Sequence, residues 1–278
     1  MATLTLRRVL SGIPRLFRSV KKTKTMTPGE TKHWRTVLRD LYRSHYGLEM
    51  HQLQADEAMV PPKTVVDIVQ GRSKDDPNTF FGTGYREMVR YLTELSDHGF
   101  NVSHMERMLD LGFGTGRILV HFLPFAVERY GCDVTPEAYA WTSKTLGAHA
   151  QLSLTQLQPP LPFPGDFFDL IIATSVFTHT PCAAQPGWIT ELHRILKPGG
   201  CALVTVQDFT KMPAEYLARG WHEKGAKRGI HMRAFLTPTK LTELWSSAFE
   251  VLEIRTYTLD QAHVIVRKGY SDMTVSPG

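Results

Sequence analysis

The chain has 278 residues, 42% of them hydrophobic and 21% charged, enough apolar content for one full α/β core with length left for additions. No apolar run reaches the about 18 residues that a membrane-crossing helix needs, so a soluble or peripheral protein is expected. Three cysteines, Cys132, Cys182 and Cys201, show no paired spacing, which argues against a disulfide framework or a zinc site and for a reducing compartment. The net charge of +5 is uneven: residues 1–45 hold eleven Lys or Arg against Glu30 and Asp40, leaving the rest of the chain net acidic. The basicity is therefore a property of an N-terminal arm and no nucleic-acid footprint on the remaining residues.

Within the arm, residues 4–20 place Leu6, Val9, Leu10, Ile13, Leu16, Phe17 and Val20 at helical spacing among Arg7, Arg8, Arg15 and Arg18, and no acid precedes Glu30. Three readings stay open: a basic amphipathic helix for a membrane surface, an organellar transit peptide, or a disordered basic arm. Pro14 weakens the first two, since it interrupts the middle of the helix. Thr27-Pro28-Gly29-Glu30 is a capping box with proline at the first helical position, and Trp34, Val37, Leu38, Leu41 and Tyr42 follow on one face. Pro61-Pro62 mark a break before Val65–Val69, and Asp75-Asp76-Pro77-Asn78 another. A second helix is predicted from Phe80 to about Asp97, its apolar face set by Phe81, Tyr85, Met88, Val89, Leu92 and Leu95 and its stop by Gly99.

The stretch RMLDLGFGTGRIL, Arg107–Leu119, predicts a short apolar strand, a glycine loop and a helix starting near Gly116. Gly112, Gly114 and Gly116 let the backbone turn sharply and approach a ligand, and Asp110 stands at the strand's end. The spacing is G-x-G-x-G rather than the G-x-G-x-x-G of dinucleotide folds. A second strand, Val127–Cys132, leads to Asp133, 23 residues beyond Asp110, where a ribose-binding acid sits in a nucleotide-binding βαβ unit. Pro136 and Glu137 open the next helix, with Thr135 placed to cap it. A short third strand is expected at Gln151–Gln156, before Pro159-Pro160.

Phe168–Thr174 is a continuous apolar run, apart from Asp169, of the kind found in a parallel strand buried on both faces. Asp169 lies at its start, far from the ligand edge, and reads as structural. Ser175–Thr180 is the loop at its carboxyl end, where ligands bind in open α/β sheets. A helix at Trp188–Leu196 stops at Lys197-Pro198-Gly199-Gly200, and a fifth strand, Ala202–Val206, delivers Gln207 and Asp208 to its carboxyl end. Residues 209–236 mix glycines and charges as a lid or substrate segment would. Thr237-Pro238 opens a last helix through Trp245; Phe249–Thr256 and Gln261–Val266 alternate as antiparallel edge strands; Ser271–Gly278 reads as a tail.

Taken together, the glycine loop, LPF at 161–163, FDLI at 168–171, SVFTH at 175–179 and LKPGG at 196–200 resemble the class I S-adenosylmethionine (SAM) methyltransferases, within them a small-molecule group, over roughly residues 80–268. The resemblance implies a Rossmann-like α/β fold, a mostly parallel seven-stranded sheet with an antiparallel edge hairpin and an N-terminal helical extension. It divides the chain into an arm at 1–26, a helical segment covering the cleft at 27–100, a methyltransferase domain at 101–270 and a tail at 271–278. It implies that Asp110 orients the ammonium of SAM, that Gly112, Gly114 and Gly116 with the following helix N-terminus receive its methionine end, and that Asp133, beside Val134, accepts from the ribose hydroxyls. Gln156 and Leu157 match the adenine positions, with Gln156 an amide where the family pattern has an acid. Thr174 and Ser175 match the cofactor edge of the fourth strand, and Phe81 and Tyr85 are either cofactor contacts or plain core.

Methyl transfer from a sulfonium needs an acceptor held in line and water kept out; a hydroxyl acceptor also needs a base. His179 sits at the ligand edge and is the first candidate, with Asp208 orienting it or acting alone and His231 behind; His193, inside a helix, reads as packing. The expected acceptor is a hydroxyl on a sugar, lipid-linked or natural-product molecule. The alternatives are a nucleic-acid or protein methyltransferase using the basic arm, and a non-catalytic binding protein on the same scaffold. Thr174-Ser175-Val176-Phe177 is not the Asn/Asp-Pro-Pro-aromatic motif of base-amine methylation. A cytoplasmic location, with peripheral membrane contact through the arm, is the corresponding expectation.

Overall fold

The computed structural model describes residues 27–50, 59–70, 77–225, 232–256 and 261–270. The basic stripe at 4–20, the tail at 271–278 and His231 lie outside these residues. The chain divides into two compact units, Met1–Glu106 with Gly112–Thr155, and Arg107–Leu111 with Gln156–Gly278. Among the described residues, strands β1 (Arg107–Leu111), β2 (Glu128–Asp133), β3 (Gln151–Leu154), β4 (Phe168–Ala173), β5 (Leu196–Gln207), β8 (Glu250–Thr256) and β9 (Gln261–Arg267) form a seven-stranded sheet in the order β3-β2-β1-β4-β5-β9-β8. The pairs β2–β3, β1–β4 and β4–β5 are parallel, while β9 runs antiparallel to both β5 and β8. This is the expected mostly parallel, Rossmann-like sheet with an antiparallel edge.

In the first unit, helix α1 (Pro28–Leu41) starts at the capping box expected from the sequence: Glu30 N donates to Thr27 Oγ1 at 3.3 Å and Thr27 N to Glu30 Oε2 at 2.7 Å. Its stripe of Trp34, Leu38 and Leu41 is buried, and the helix runs along α3 (Pro77–Asp97). Helix α3 buries Tyr85, Met88, Val89, Leu92 and Leu95 and stops where Gly99 takes φ +82° while Phe100 N bonds back to Leu95 O. Helix α2 (Lys63–Gln70) lies against α4 (Pro136–Leu146).

The helix expected from Gly116 does not form. A 3-10 turn, Leu119–Phe122, takes its place, with Leu119, Val120, His121 and Phe122 all buried. Pro124 lacks an N–H and cannot extend a helix past Leu123, which itself keeps helical φ −56° and ψ −36°, so any helix here is limited to about two turns. The turn is held from both sides. Arg129 Nη1 donates to the carbonyls of Phe122 and Phe125 at 3.2 and 2.8 Å, and the buried Tyr42 hydroxyl donates to that of His121. Helix α3 meets it at Gly84, where an added Cβ would lie 2.7 Å from His121 Nε2 and 2.8 Å from Arg117 O.

In the second unit, Phe168 and Leu170 to Ala173 of β4 are wholly buried. Asp169 is structural, as its position predicts: Oδ2 accepts from Arg107 N at 2.9 Å and Lys197 Nζ reaches Oδ1 at 3.0 Å. Helix α5 (Gln185–Ile195) begins three residues earlier than expected. Lys197 to Gly200 do not separate it from the fifth strand but belong to β5, as an irregularity between the Phe168↔Leu196 and Leu170↔Cys201 pairs. Lys268 Nζ closes the end of α5 by donating to the carbonyls of His193 and Leu196 at 2.8 and 2.9 Å. Residues 209–225 and 232–236 hold more regular structure than their composition suggested: two 3-10 turns, Phe209–Lys211 and Ala214–Tyr216, precede an antiparallel pair of β6 (Trp221–Lys224) and β7 (Arg233–Leu236). Helix α6 (Pro238–Ser246) follows, capped by Thr237.

Gly84→Ala should destabilise the protein by about 1 to 3 kcal/mol, since the contact at 2.8 Å is to backbone and cannot swing aside; the urea midpoint should fall with an unchanged slope. Burial, with Arg117 and Arg35 adding repulsion, pushes the His121 pKa from 6.5 down to about 3. Between those values the unfolded chain takes up a proton there and the folded chain does not, so stability falls as pH drops through that window, by about 1.4 kcal/mol per pH unit for this group. His121→Leu should remove that contribution, measured as the difference in unfolding free energy between pH 7 and pH 5.

Candidate active site

The glycine loop is held by the end of β2. Gly112 N donates to Cys132 O at 2.7 Å and Gly114 N to Asp133 Oδ2 at 2.8 Å, while Thr135 N donates to Asp133 Oδ1 at 2.8 Å. One carboxylate thus ties the loop to the turn that leads into α4, and the cap expected from the Thr135 side chain is absent. Gly112, Gly114 and Gly116 have φ of +74°, +54° and +78°, where a Cβ is strained. At Gly116 an added Cβ would also meet Leu146 Cδ1 at 2.7 Å, so this glycine lets α4 pack closely. Thr142 Oγ1 of α4 donates to Gly114 O at 2.9 Å. Val134 is half-buried beside Asp133, and Cys132 is a fully buried, small apolar residue.

Two groups that the sequence reading did not single out belong to the same loop. The Thr115 hydroxyl is buried with no hydrogen-bond partner, and so is Nη1 of Arg117, the residue that follows the last loop glycine. Buried donors are nearly always bonded, so an orphaned pair beside a glycine loop points to an anionic or acceptor-rich ligand. Asp133 accepts one N–H on each oxygen, and each oxygen keeps capacity for a further donor such as a ribose hydroxyl. The residues present therefore suit a nucleoside that carries a carboxylate. The only sequence signal for the two orphaned groups was adjacency to the glycines.

In the second unit, Asp110 is buried in β1, paired in register with Ile172 of β4. Gln156 and Leu157 follow the third strand on the surface, Leu157 70% exposed. Thr174 is half-buried at the end of β4, and Ser175 takes φ +62°, a left-handed conformation rare outside glycine and asparagine. Its surroundings over-determine it: Ser175 N donates to Thr205 Oγ1 at 2.7 Å, Gln261 Nε2 donates to Ser175 Oγ at 2.8 Å, and Thr178 Oγ1 donates to Ser175 O at 2.7 Å. Strain held in this way, about 1 to 3 kcal/mol, clusters at functional loops.

The β6–β7 pair is strapped to that loop. Ala234 N donates to Thr178 O at 2.9 Å, Cys182 N to Glu223 Oε1 at 2.7 Å, and His179 Nδ1 lies 2.6 Å from Met232 O. A carbonyl only accepts, so Nδ1 carries the proton and Nε2 is the acceptor of the neutral ring. Burial and the Glu223 carboxylate push the Cys182 thiol up to about 12, which keeps it a protonated, unreactive group. Asp208 is engaged locally, since Oδ1 accepts from Thr210 N at 3.0 Å and Thr210 Oγ1 at 2.7 Å, and Oδ2 is 4.0 Å from Lys211 Nζ. His193 packs edge-on against Phe249, and Phe81 and Tyr85 are buried in the first unit's core. Among the described residues no cluster of His, Cys, Asp or Glu is arranged to hold a metal, and no helix is long and apolar enough to cross a membrane.

Asp133→Ala should free both ends of the bridge: amide exchange at Gly114 and Thr135 should accelerate at least tenfold by mass spectrometry or NMR, with the core of β2 unchanged.

Residues 108–200 match the family model described as a methyltransferase domain. Proteins described as uncharacterized methyltransferases from Mycobacterium avium and Mycolicibacterium paratuberculosis are each 25% identical over 133 residues, 48% of this chain. The chain spans about half the length of these curated relatives, 52% and 51%. Among solved structures, a SAM-dependent methyltransferase from Methanosarcina mazei superposes with a TM-score of 0.52 at 18% identity, covering 63% of this chain and 98% of that one. The 1,6-didemethyltoxoflavin-N1-methyltransferase of Burkholderia thailandensis, solved with its substrate and S-adenosylhomocysteine, gives 0.55 at 18% identity over 77% of this chain and 88% of that one. The strand order, the glycine loop and the matching segment lead to one conclusion: the chain has the fold of the class I SAM-dependent methyltransferases, and its residues 108–200 are similar to a methyltransferase domain.

Proposed function

We propose that this protein transfers a methyl group from SAM to a hydroxyl of a small molecule, of the sugar, lipid-linked or natural-product kind, with His179 as the base. The observation that carries the choice of a hydroxyl is the fixed imidazole: Met232 O holds Nδ1–H at 2.6 Å, so the neutral ring presents Nε2 as its acceptor. An amine acceptor brings its own lone pair and has no need of such a group, whereas a hydroxyl must lose a proton as the new bond forms.

The bound donor supplies an electrophilic methyl sulfonium. Binding, orientation and proton transfer fall to the chain. Asp133 receives the ribose hydroxyls, the glycine loop admits the methionine end to its backbone, and the strained Ser175 loop sets where His179 stands. As the acceptor oxygen attacks, Nε2 takes its proton and the Met232 carbonyl stabilises the imidazolium that results. Asp208, committed to Thr210 and Lys211, supports the backbone after β5 in this reading.

Untargeted mass spectrometry of small molecules labelled from methyl-labelled SAM in cell extract should reveal an O-methylated product. His179→Ala should lower kcat on that product's precursor by about a hundredfold to ten-thousandfold, with calorimetric affinity for S-adenosylhomocysteine unchanged. A more acidic acceptor should recover part of the loss. Labelling of an amine, of protein or of RNA, or a variant as fast as the wild type, would overturn the proposal.

A further inference from the structure

The buried, unpartnered Nη1 of Arg117 after the glycine loop marks a specific site within the first unit. We infer that Arg117, with the Thr115 hydroxyl, binds the α-carboxylate of the methyl donor; the inference rests on the cofactor reading above. The first ground is position. Arg117 directly follows Gly116, and its backbone and stem are pinned against α3, because an added Cβ at Gly84 would lie 2.8 Å from Arg117 O and 3.3 Å from Arg117 Cγ. The side chain therefore leaves the loop from a fixed point.

The second ground is unmet bonding capacity. Arg117 Nη1 and Thr115 Oγ1 are both buried and both without a partner. A guanidinium presents a planar fork that matches a carboxylate, and a hydroxyl two residues away in the chain is a second unmet donor on the same loop. The neighbouring charges do not meet this need. Arg86 and Arg90 share Glu87, each at 3.2 Å, with side chains 11%, 3% and 14% exposed in that order. Glu94 is buried two turns further along α3. Burial disfavours the charged form of Arg86, Glu87 offsets this in part, and the charges of Arg90 and Arg117 add to it, so Arg117 stands among like charges. His121, the other titratable side chain beside Arg117, is buried and neutral at physiological pH and supplies no anion.

The missing α-helix strengthens the case. An α-helix after the loop would offer free N–H groups to a carboxylate, but here the chain enters the short 3-10 turn Leu119–Phe122. A side-chain cation takes over the role that a helix N-terminus performs elsewhere.

The test compares two nucleosides by calorimetry: S-adenosylhomocysteine and its analogue with the α-carboxylate replaced by hydrogen. Wild type should prefer the carboxylate form by about tenfold to a hundredfold, the range of a charged hydrogen bond. Arg117→Met should cut that preference to about threefold or less while affinity for the analogue without the carboxylate holds, and Arg117→Lys should restore part of the preference. Without ligand, Arg117→Met should melt no lower than wild type, because it removes a buried, unpaired donor. If Arg117→Met does not fold, the guanidinium is structural and the inference fails. It fails too if the variant weakens both nucleosides equally. Tight binding of S-adenosylhomocysteine with no carboxylate preference in wild type overturns this assignment and leaves the cofactor reading intact; binding of neither nucleoside removes both.

Discussion

The Asp133 carboxylate is the constraint on which the first unit's site depends. One oxygen holds the amide of Gly114 and the other that of Thr135, both at 2.8 Å, so a single side chain sets the loop and the start of the next helix together. Three loop residues with positive φ have no internal reason to stay in one conformation, since glycine gains nothing from that region beyond permission to enter it. The carboxylate supplies the reason.

The second unit solves a similar problem differently. Ser175 bends the chain out of β4 in a conformation that a β-carbon resists, and hydrogen bonds to Thr205, Gln261 and Thr178 hold the bend. The pair of β6 and β7 then adds three bonds of its own to the loop, one of them to the imidazole of His179. Among the described residues, segment 209–236 is thus a buttress for the Ser175–Thr180 loop, and the tautomer of His179 follows from that support.

Some buried polar groups are satisfied and others, Trp245 Nε1 and Ser143 Oγ among them, are not. Asp169, Lys197 and Lys268 are satisfied and close the ends of strands and helices. Thr115 and Nη1 of Arg117 are unsatisfied and lie beside the ligand loop. A folded protein tolerates such donors where a ligand completes them, because the desolvation cost of about 1 to 3 kcal/mol is then recovered on binding.

Local chemistry of short range was already legible in the amino-acid sequence: the capping box at Thr27, the stop at Gly99, the all-apolar β4, the glycine loop and the acid 23 residues past Asp110. Each depends on residues within a few positions of one another or on a fixed strand-to-strand spacing, and these were enough for the fold class and for naming a candidate site. Long-range packing set the remainder. A 3-10 turn stands where a helix was expected before Pro124, the Thr135 side chain makes no cap bond, and the Lys197–Gly200 stretch joined β5 rather than ending α5. The partner of His179 lies 53 residues away in sequence, and the burial of Arg117 depends on the packing of α3, an element far upstream of the glycine loop. Interactions across such separations leave no periodicity or motif behind, since nothing in either segment's local pattern encodes which surface it will meet.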